Sequence, residues 1–171
     1  MEKIKKLLII IFLLILPNIA KAACDDALGD GVDYTNCRFS DGQDLQGSYL
    51  PNSNLSFTGF IQVNFDKSIM MNSILAYGTF SESSFVRTNL YESNLQGANF
   101  EKSNFTSSNL TRAKFIGATL IEVNFQNANL IESDFSFANI TNANFDGANL
   151  NNATWTDGSK CGKGSIGVCK K

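Results

Sequence analysis

Large apolar residues fall on every fifth position of this chain. From Leu45 to Trp155, each residue number divisible by five is Leu, Phe, Met, Ile or Trp, without a slip. A helix cannot use this pattern: at about 100° per residue, five residues advance roughly 140° beyond a full turn, and the side chains scatter around the cylinder. A flat strand fails too, because five is odd and successive large residues would point to opposite faces. The backbone must turn once per repeat, and repetition at a fixed short period marks a solenoid.

The other positions define the repeat. Two residues before most of the large ones stands a small one, as in Ala98, Ser103, Ser108, Ala113 and Ala118. Extended backbone alternates its sides, so the small and the large residue share the inward face and the residue between them points out. That middle residue is commonly Asn, from Asn54 and Asn64 to Asn149. The remaining two, such as Gln96 and Gly97 or Asp146 and Gly147, make the corner and are polar or Gly in most repeats.

The stretches "SNLQGANF", "QNANL" and "NANFDGANL" resemble the pentapeptide repeat family, whose pattern is A(D/N)LXX, and the resemblance runs over residues 41–155. It implies an all-β fold, a right-handed quadrilateral parallel β-helix (pentapeptide repeat solenoid) with four pentapeptides to a coil and about six coils. Reading every twentieth residue agrees with four: Phe65, Phe85, Phe105, Phe125 and Phe145 form one column, and Leu50, Leu90, Leu110, Leu130 and Leu150 another, broken by Met70. One coil cannot stand alone, since burying a Leu or Phe contributes only about 1.5–3 kcal/mol, and fixing each residue's backbone costs about 1–2 kcal/mol. Stability must come from stacking, and the interior should be too full for a ligand cavity.

A stack exposes unpaired strand edges at both ends, so the ends need their own chemistry. Val32, Tyr34, Cys37 and Phe39 keep the inward spacing, yet Phe39 to Leu45 is one residue too long, which places an insertion near Ser40 to Gly42. After Trp155, "WTDGSKCGKGSIGVCK" leaves the repeat and resembles tails that close some exported members of the family. The expected organisation is a leader at 1–22, an N-terminal cap and first-coil segment at 23–40, the β-helix at 41–155 and a C-terminal cap at 156–171.

The leader is expected from Lys3, Lys5 and Lys6, the apolar run Leu7 to Leu16, and the small-residue site Ala20-Lys21-Ala22. That run is about half of the ~20 residues a spanning helix needs, so no stable membrane insertion is expected after cleavage. The chain is expected in the bacterial periplasm or outside the cell. An anchor on Cys24 is disfavoured by Lys21, which stands where such a signal needs an apolar residue. An even number of cysteines in an exported chain reads as disulfides. Of the three possible connectivities, Cys24–Cys37 with Cys161–Cys169 is favoured, because each pair sits at one end of a rod too long to bridge.

Catalytic chemistry has little to work with. The chain contains no His, which removes the commonest proton shuttle and metal ligand. The outward carboxylates Asp66, Glu82, Glu92, Glu101, Glu122, Glu132 and Asp134 are interspersed with Lys67, Arg87, Lys102 and Arg112, as on a solvated surface. No catalytic, cofactor or metal site is assigned, and no basic-aromatic patch for nucleic acid. Without the leader the chain has 10 basic and 15 acidic residues. That is too sparse for a mimic of duplex DNA, which carries a charge about every 1.7 Å; a DNA-mimic inhibitor of an enzyme such as gyrase is the alternative reading. The favoured one is a non-enzymatic structural or interaction scaffold with an unknown protein partner, and a homodimer is left open. One outward face collects Phe57, Met71, Ile74, Tyr77 and Tyr91, the candidate partner face, with Ile116, Ile131 and Phe137 further along. The competing expectation is that the segment before Val32 covers it.

Overall fold

The computed structural model describes Cys24 and residues 28–171; the expected leader, residues 1–22, lies outside them. Single-residue parallel pairings join Asp44 to Asn64, Tyr49 to Ile69, Asn54 to Ile74 and Gly59 to Thr79, and continue at the same spacing to Asp134 with Thr154. Four pairings thus recur in every twenty residues, and the backbone winds a four-sided parallel β-helix. The first two, Asp33 with Asn54 and Arg38 with Gly59, span one residue more. The ladder changes step between Arg38 and Asp44, across the interval where Phe39 and Leu45 stand too far apart.

Residues 64–68 show how one repeat satisfies its amides. The Phe65 N–H donates to the Ser84 carbonyl at 2.7 Å and the Lys67 N–H to Val86 at 2.9 Å, both on the next coil. The Asn64 N–H donates backwards to Gln43 at 3.0 Å, and the Ser68 N–H closes the corner on Phe65 at 3.1 Å. The last amide, of Asp66, donates to the Asn64 side-chain Oδ1 at 3.0 Å. All five have partners, as buried or half-buried amides require. The same side-chain cap recurs at Asn94, Asn99, Asn104, Asn109, Asn124, Asn129 and Asn144. This is the physical reason the middle residue is so often Asn.

Each corner is a four-residue turn whose third residue has φ near +57°, for example Lys67 (59°), Glu92 (55°) and Arg112 (58°). Positive φ at the third residue alone is the type II pattern. An L side chain there costs about 1–2 kcal/mol relative to a right-handed conformation, and the ladder bonds made by that same residue's N–H hold it in place.

The core is columnar. Phe65, Phe85, Phe105, Phe125 and Phe145 stack with ring centroids 4.7–5.4 Å apart. Phe60, Phe80 and Phe100 form a second stack beside it. Above Phe100 that column turns aliphatic at Leu120, and the aromatic passes to the neighbouring column of Leu75 and Leu95 at Phe115, which stacks on Phe135 at 5.1 Å. Each coil between Leu55 and Leu150 therefore turns two Phe and two aliphatic side chains inward, all buried except the half-buried Ile140, keeping its volume constant. Ser73, Ser93, Ser108 and Ser133 are buried among them and donate to the carbonyls three residues back. Among the described residues no buried side-chain N or O lacks a partner.

The C-terminal tail reverses direction. Asn149 pairs antiparallel with Ile166 and Thr154 with Lys160. The N–H groups of Leu150, Asn152 and Trp155 donate to Ser165, Cys161 and Ser159, so the tail takes the place of a further coil on two of the four sides. Two cysteine pairs stand at disulfide distance, Cys24 with Cys37 at 2.08 Å and Cys161 with Cys169 at 2.07 Å.

Phe105 is fully buried, and Phe105→Ala should cost about 3–5 kcal/mol in a denaturant melt. Ser107→Asn, at an exposed corner with φ 57°, should change stability little because Asn tolerates that conformation. Leu120→Phe alone overpacks its coil and should cost about 1–3 kcal/mol; adding Phe115→Leu should recover much of the loss, and a double variant worse than the single one would refute the constant-volume account.

Candidate interaction surface

Four sides carry the outward middle residues, and the apolar ones gather on two of them. Tyr49 and Ile69 lie one above the other on one side, 57% and 38% exposed, and Ile74 lies on the next, 40% exposed. Met71 and Tyr91, at the corner between these sides, are half-buried. Phe57 and Tyr77 occupy the following corner, 56% and 52% exposed, with rings 5.3 Å apart and 13° from parallel. Both corner residues have positive φ, 57° and 58°, which sends their side chains outward from the turn. Of the five residues assigned to this face from sequence, three are exposed and two half-buried. Phe57, Ile74 and Tyr77 are open to solvent among the described residues, so the described part of the segment before Val32 does not cover them.

Sequence reasoning missed Tyr49 and Ile69, which extend the patch round a corner. Their signal was an apolar residue at a middle position where Asn is usual. Ile69 and Ile74 stand where an Asn would accept the amides of Met71 and Ala76, while Pro51, after Tyr49, has no amide to cap. Ile116 and Ile131 are half-buried, and Phe137 is 83% exposed but separated from Tyr77 by Gly97 and Gly117 in the same corner column.

Two polar features border the patch. Gln96 Nε2 donates to the Tyr77 hydroxyl at 3.2 Å, and the Tyr77 ring lies across Gly97, where a Cβ would come within 2.5 Å of it. Arg112 spans three coils: its Nε donates to Glu132 at 2.7 Å and its Nη1 to Glu92 at 3.0 Å and to the Tyr91 hydroxyl at 3.3 Å. The hydrogen bonds to Glu132 and then Glu92 raise the guanidinium above its ordinary value. The Tyr91 hydroxyl and then Arg112 hold the Glu92 carboxyl below its own. A surface cavity of about 270 Å³ opens beside the aromatic pair, lined by Arg38, Asp41, Phe57, Gly59, Ile61 and Tyr77. Among the described residues no group of His, Cys, Asp or Glu is placed to hold a metal ion, and no helix is long and apolar enough to cross a membrane.

The family model for pentapeptide repeats matches eight copies, over residues 83–120 and 120–154. Residues 83–154 are pentapeptide repeats. Members of this family fold as right-handed four-sided β-helices, and the pairings that begin at Asp44 carry the same spacing upstream of the matched repeats. Among solved structures the repeat protein is similar to HetL, a pentapeptide repeat protein involved in heterocyst differentiation regulation from the cyanobacterium Nostoc, at 18% identity over 78% of this chain and 92% of that one, with a TM-score of 0.46. Rfr23 from the cyanobacterium Cyanothece is similar at 24% identity over 72% and 90%, with a TM-score of 0.44. QnrB1, a plasmid-mediated fluoroquinolone resistance protein, is similar at 21% over 74% and 69%, with a TM-score of 0.42. No curated protein matches.

Gly117→Ala adds a methyl into open space at φ +64° and should cost about 1–2 kcal/mol through backbone strain alone. Gly97→Ala has the same strain at φ +63° and must also displace the Tyr77 ring, so its melt should fall further and its tyrosine emission should change. Because the folded Glu92 pKa is depressed below the ordinary 4.5, its contribution to stability is present above that pH and is lost as pH falls through the folded value. The melting temperature of the parent should exceed that of Arg112→Gln near neutral pH, and the gap should narrow in acid.

Proposed function

We propose that this repeat protein is an exported, non-enzymatic scaffold that acts through protein contacts on a rigid rod of about six coils. The leader at 1–22 would direct it to the periplasm or beyond, and the closures at 23–40 and 156–171 would flank the repeats at 41–155. Disulfides Cys24–Cys37 and Cys161–Cys169 would staple the two ends; their sulfur distances and the oxidising compartment of an exported chain support that pairing.

The observation that carries the reading is the apolar patch formed by Tyr49, Phe57, Ile69, Ile74 and Tyr77, with Met71 and Tyr91 at its half-buried rim. At Ile69 and Ile74 the chain forgoes the Asn cap that its own fold favours, and places an exposed branched apolar side chain there instead. A local rule broken without local gain marks a functional position. Aromatic residues are also enriched at the centres of protein interfaces. The partner is a protein that presents an apolar surface to this corner.

The double variant Tyr77→Lys with Ile74→Glu tests the face. Crosslinking in the exported fraction should lose a specific adduct while the melt stays close to the parent. An unchanged adduct pattern would sink the assignment, and a large fall in stability would mean that the two residues are buried under the N-terminal segment. Mass mapping of non-reduced peptides should recover Cys161 joined to Cys169, and opening that short loop should cost about 2–3 kcal/mol.

A further inference from the structure

The two ends of the rod are unlike, and they are complementary. In the ladder each repeat sends two N–H groups and one carbonyl toward the following coil, as Phe65, Lys67 and Gln43 do. An uncovered C-terminal edge is therefore rich in donors and an uncovered N-terminal edge rich in acceptors. The tail covers only two sides of the last coil. On the other two, the N–H groups of Ile140, Asn142, Phe145 and Gly147 and the carbonyls of Ala138 and Ala143 have no partner among the described residues. At the opposite end the carbonyls of Arg38, Asp44 and Gln46 and the N–H groups of Arg38 and Asp44 are likewise unpaired among the described residues.

Side-chain charge follows the same polarity. The tail, residues 156–171, carries Lys160, Lys163, Lys170 and Lys171 against Asp157. Asp157 pairs with Lys171, and Lys160 donates to Thr154, so the Lys163 and Lys170 ammonium groups face solvent without an acceptor among the described residues. The beginning of the described chain carries exposed Asp30, Asp33, Asp41 and Asp44 against Arg38. Apolar surface is present at both ends as well: Ile166 and Val168 are 50% and 58% exposed on the tail, and Tyr49 is 57% exposed on the first coil.

We propose that the basic, donor-rich C-terminal end docks on the acidic, acceptor-rich N-terminal end of a second copy of this chain. The contact is heterologous, since the two surfaces that meet are different, and it leaves one free end of each kind, so association continues into open chains unless the rotation closes them. Opposite charge sets the polarity of docking, because two like ends repel. The covered half of the last coil keeps the edge from offering a complete ladder, which makes the contact a weak, salt-sensitive one.

Charge exchange tests the proposal with the full chain. Light scattering at low ionic strength should show the parent growing beyond a monomer with concentration, and returning to a monomer at 1 M salt, where the Debye length is about 3 Å. Lys163→Glu with Lys170→Glu makes both ends acidic, and Asp30→Lys with Asp41→Lys makes both basic; each variant alone should remain a monomer. Their equimolar mixture restores opposite charges at every junction and should associate again. Carbodiimide treatment of the parent should join tail lysines to Asp30 or Asp41 between molecules. A parent that stays monomeric at low salt and high concentration overturns the proposal, as do variants that associate alone as the parent does, which would place the contact on the apolar face or between like ends. Since the parent's own salt response is read independently, a variant that failed to fold would not shield the idea.

Discussion

A chain that turns a corner after every pentapeptide bonds within its own coil only to close each corner, so most of its amides must be satisfied by the coils above and below. Everything else in this protein depends on that inter-coil ladder. It fixes the step at twenty residues, because only then do four sides return to their own columns. It also stabilises the corners: residues as different as Glu82, Arg87, Lys102 and Phe137 adopt a left-handed conformation there. Intrinsic preference would reserve that conformation for Gly and Asn. The amide of each such residue donates to the next coil, and leaving the corner would break that bond.

The core obeys a second constraint, that of constant cross-section. A column of identical coils with a fixed rise leaves no slack for a local excess of volume. The exchange of Phe and Leu between Phe100, Phe115 and Leu120 therefore happens as a paired change within one coil. Within a column the rings stack face to face and between columns they meet edge to face, and at the exchange Phe100 and Phe115 keep that edge contact at 6.2 Å and 75°. The buried hydroxyls fit because a corner carbonyl is within reach, either three residues back, as for Ser108 and Ser133, or on the preceding coil, as for Ser83, Thr88 and Ser103.

Much of this was legible from Leu45 onward. One large residue in five is incompatible with helix and flat strand alike, and the columns of Phe and Leu agree with the four sides that the family resemblance implies. The inward assignment of Phe105 and the one-residue break before Leu45 needed no more than counting. The role of the middle Asn was hidden, because its bond reaches an amide two residues on that comes into range only when the corner is folded. The antiparallel tail was hidden for a different reason: residues 156–171 have no period, and their direction is set by the edge they meet. The patch was seen in part, since Phe57, Ile74 and Tyr77 break the polar pattern at the assigned face. Tyr49 and Ile69 sit across a corner that a linear reading treats as a boundary.

The tail has a consequence for how a protein of this kind can change in length. From Asp157 onward its hydrogen bonds to the β-helix are made, among the described residues, with residues 148–155, and none of them depends on what lies further down the stack. The first coil likewise meets only the turn immediately above it. A duplication of twenty residues between these ends would insert one more identical storey and leave both terminations untouched, whereas five or ten would move every later side of the prism by a quarter or a half turn. The molecule is in that sense a ruler with fixed end-stops, whose graduations can multiply while the objects held at its two ends keep their angular relation.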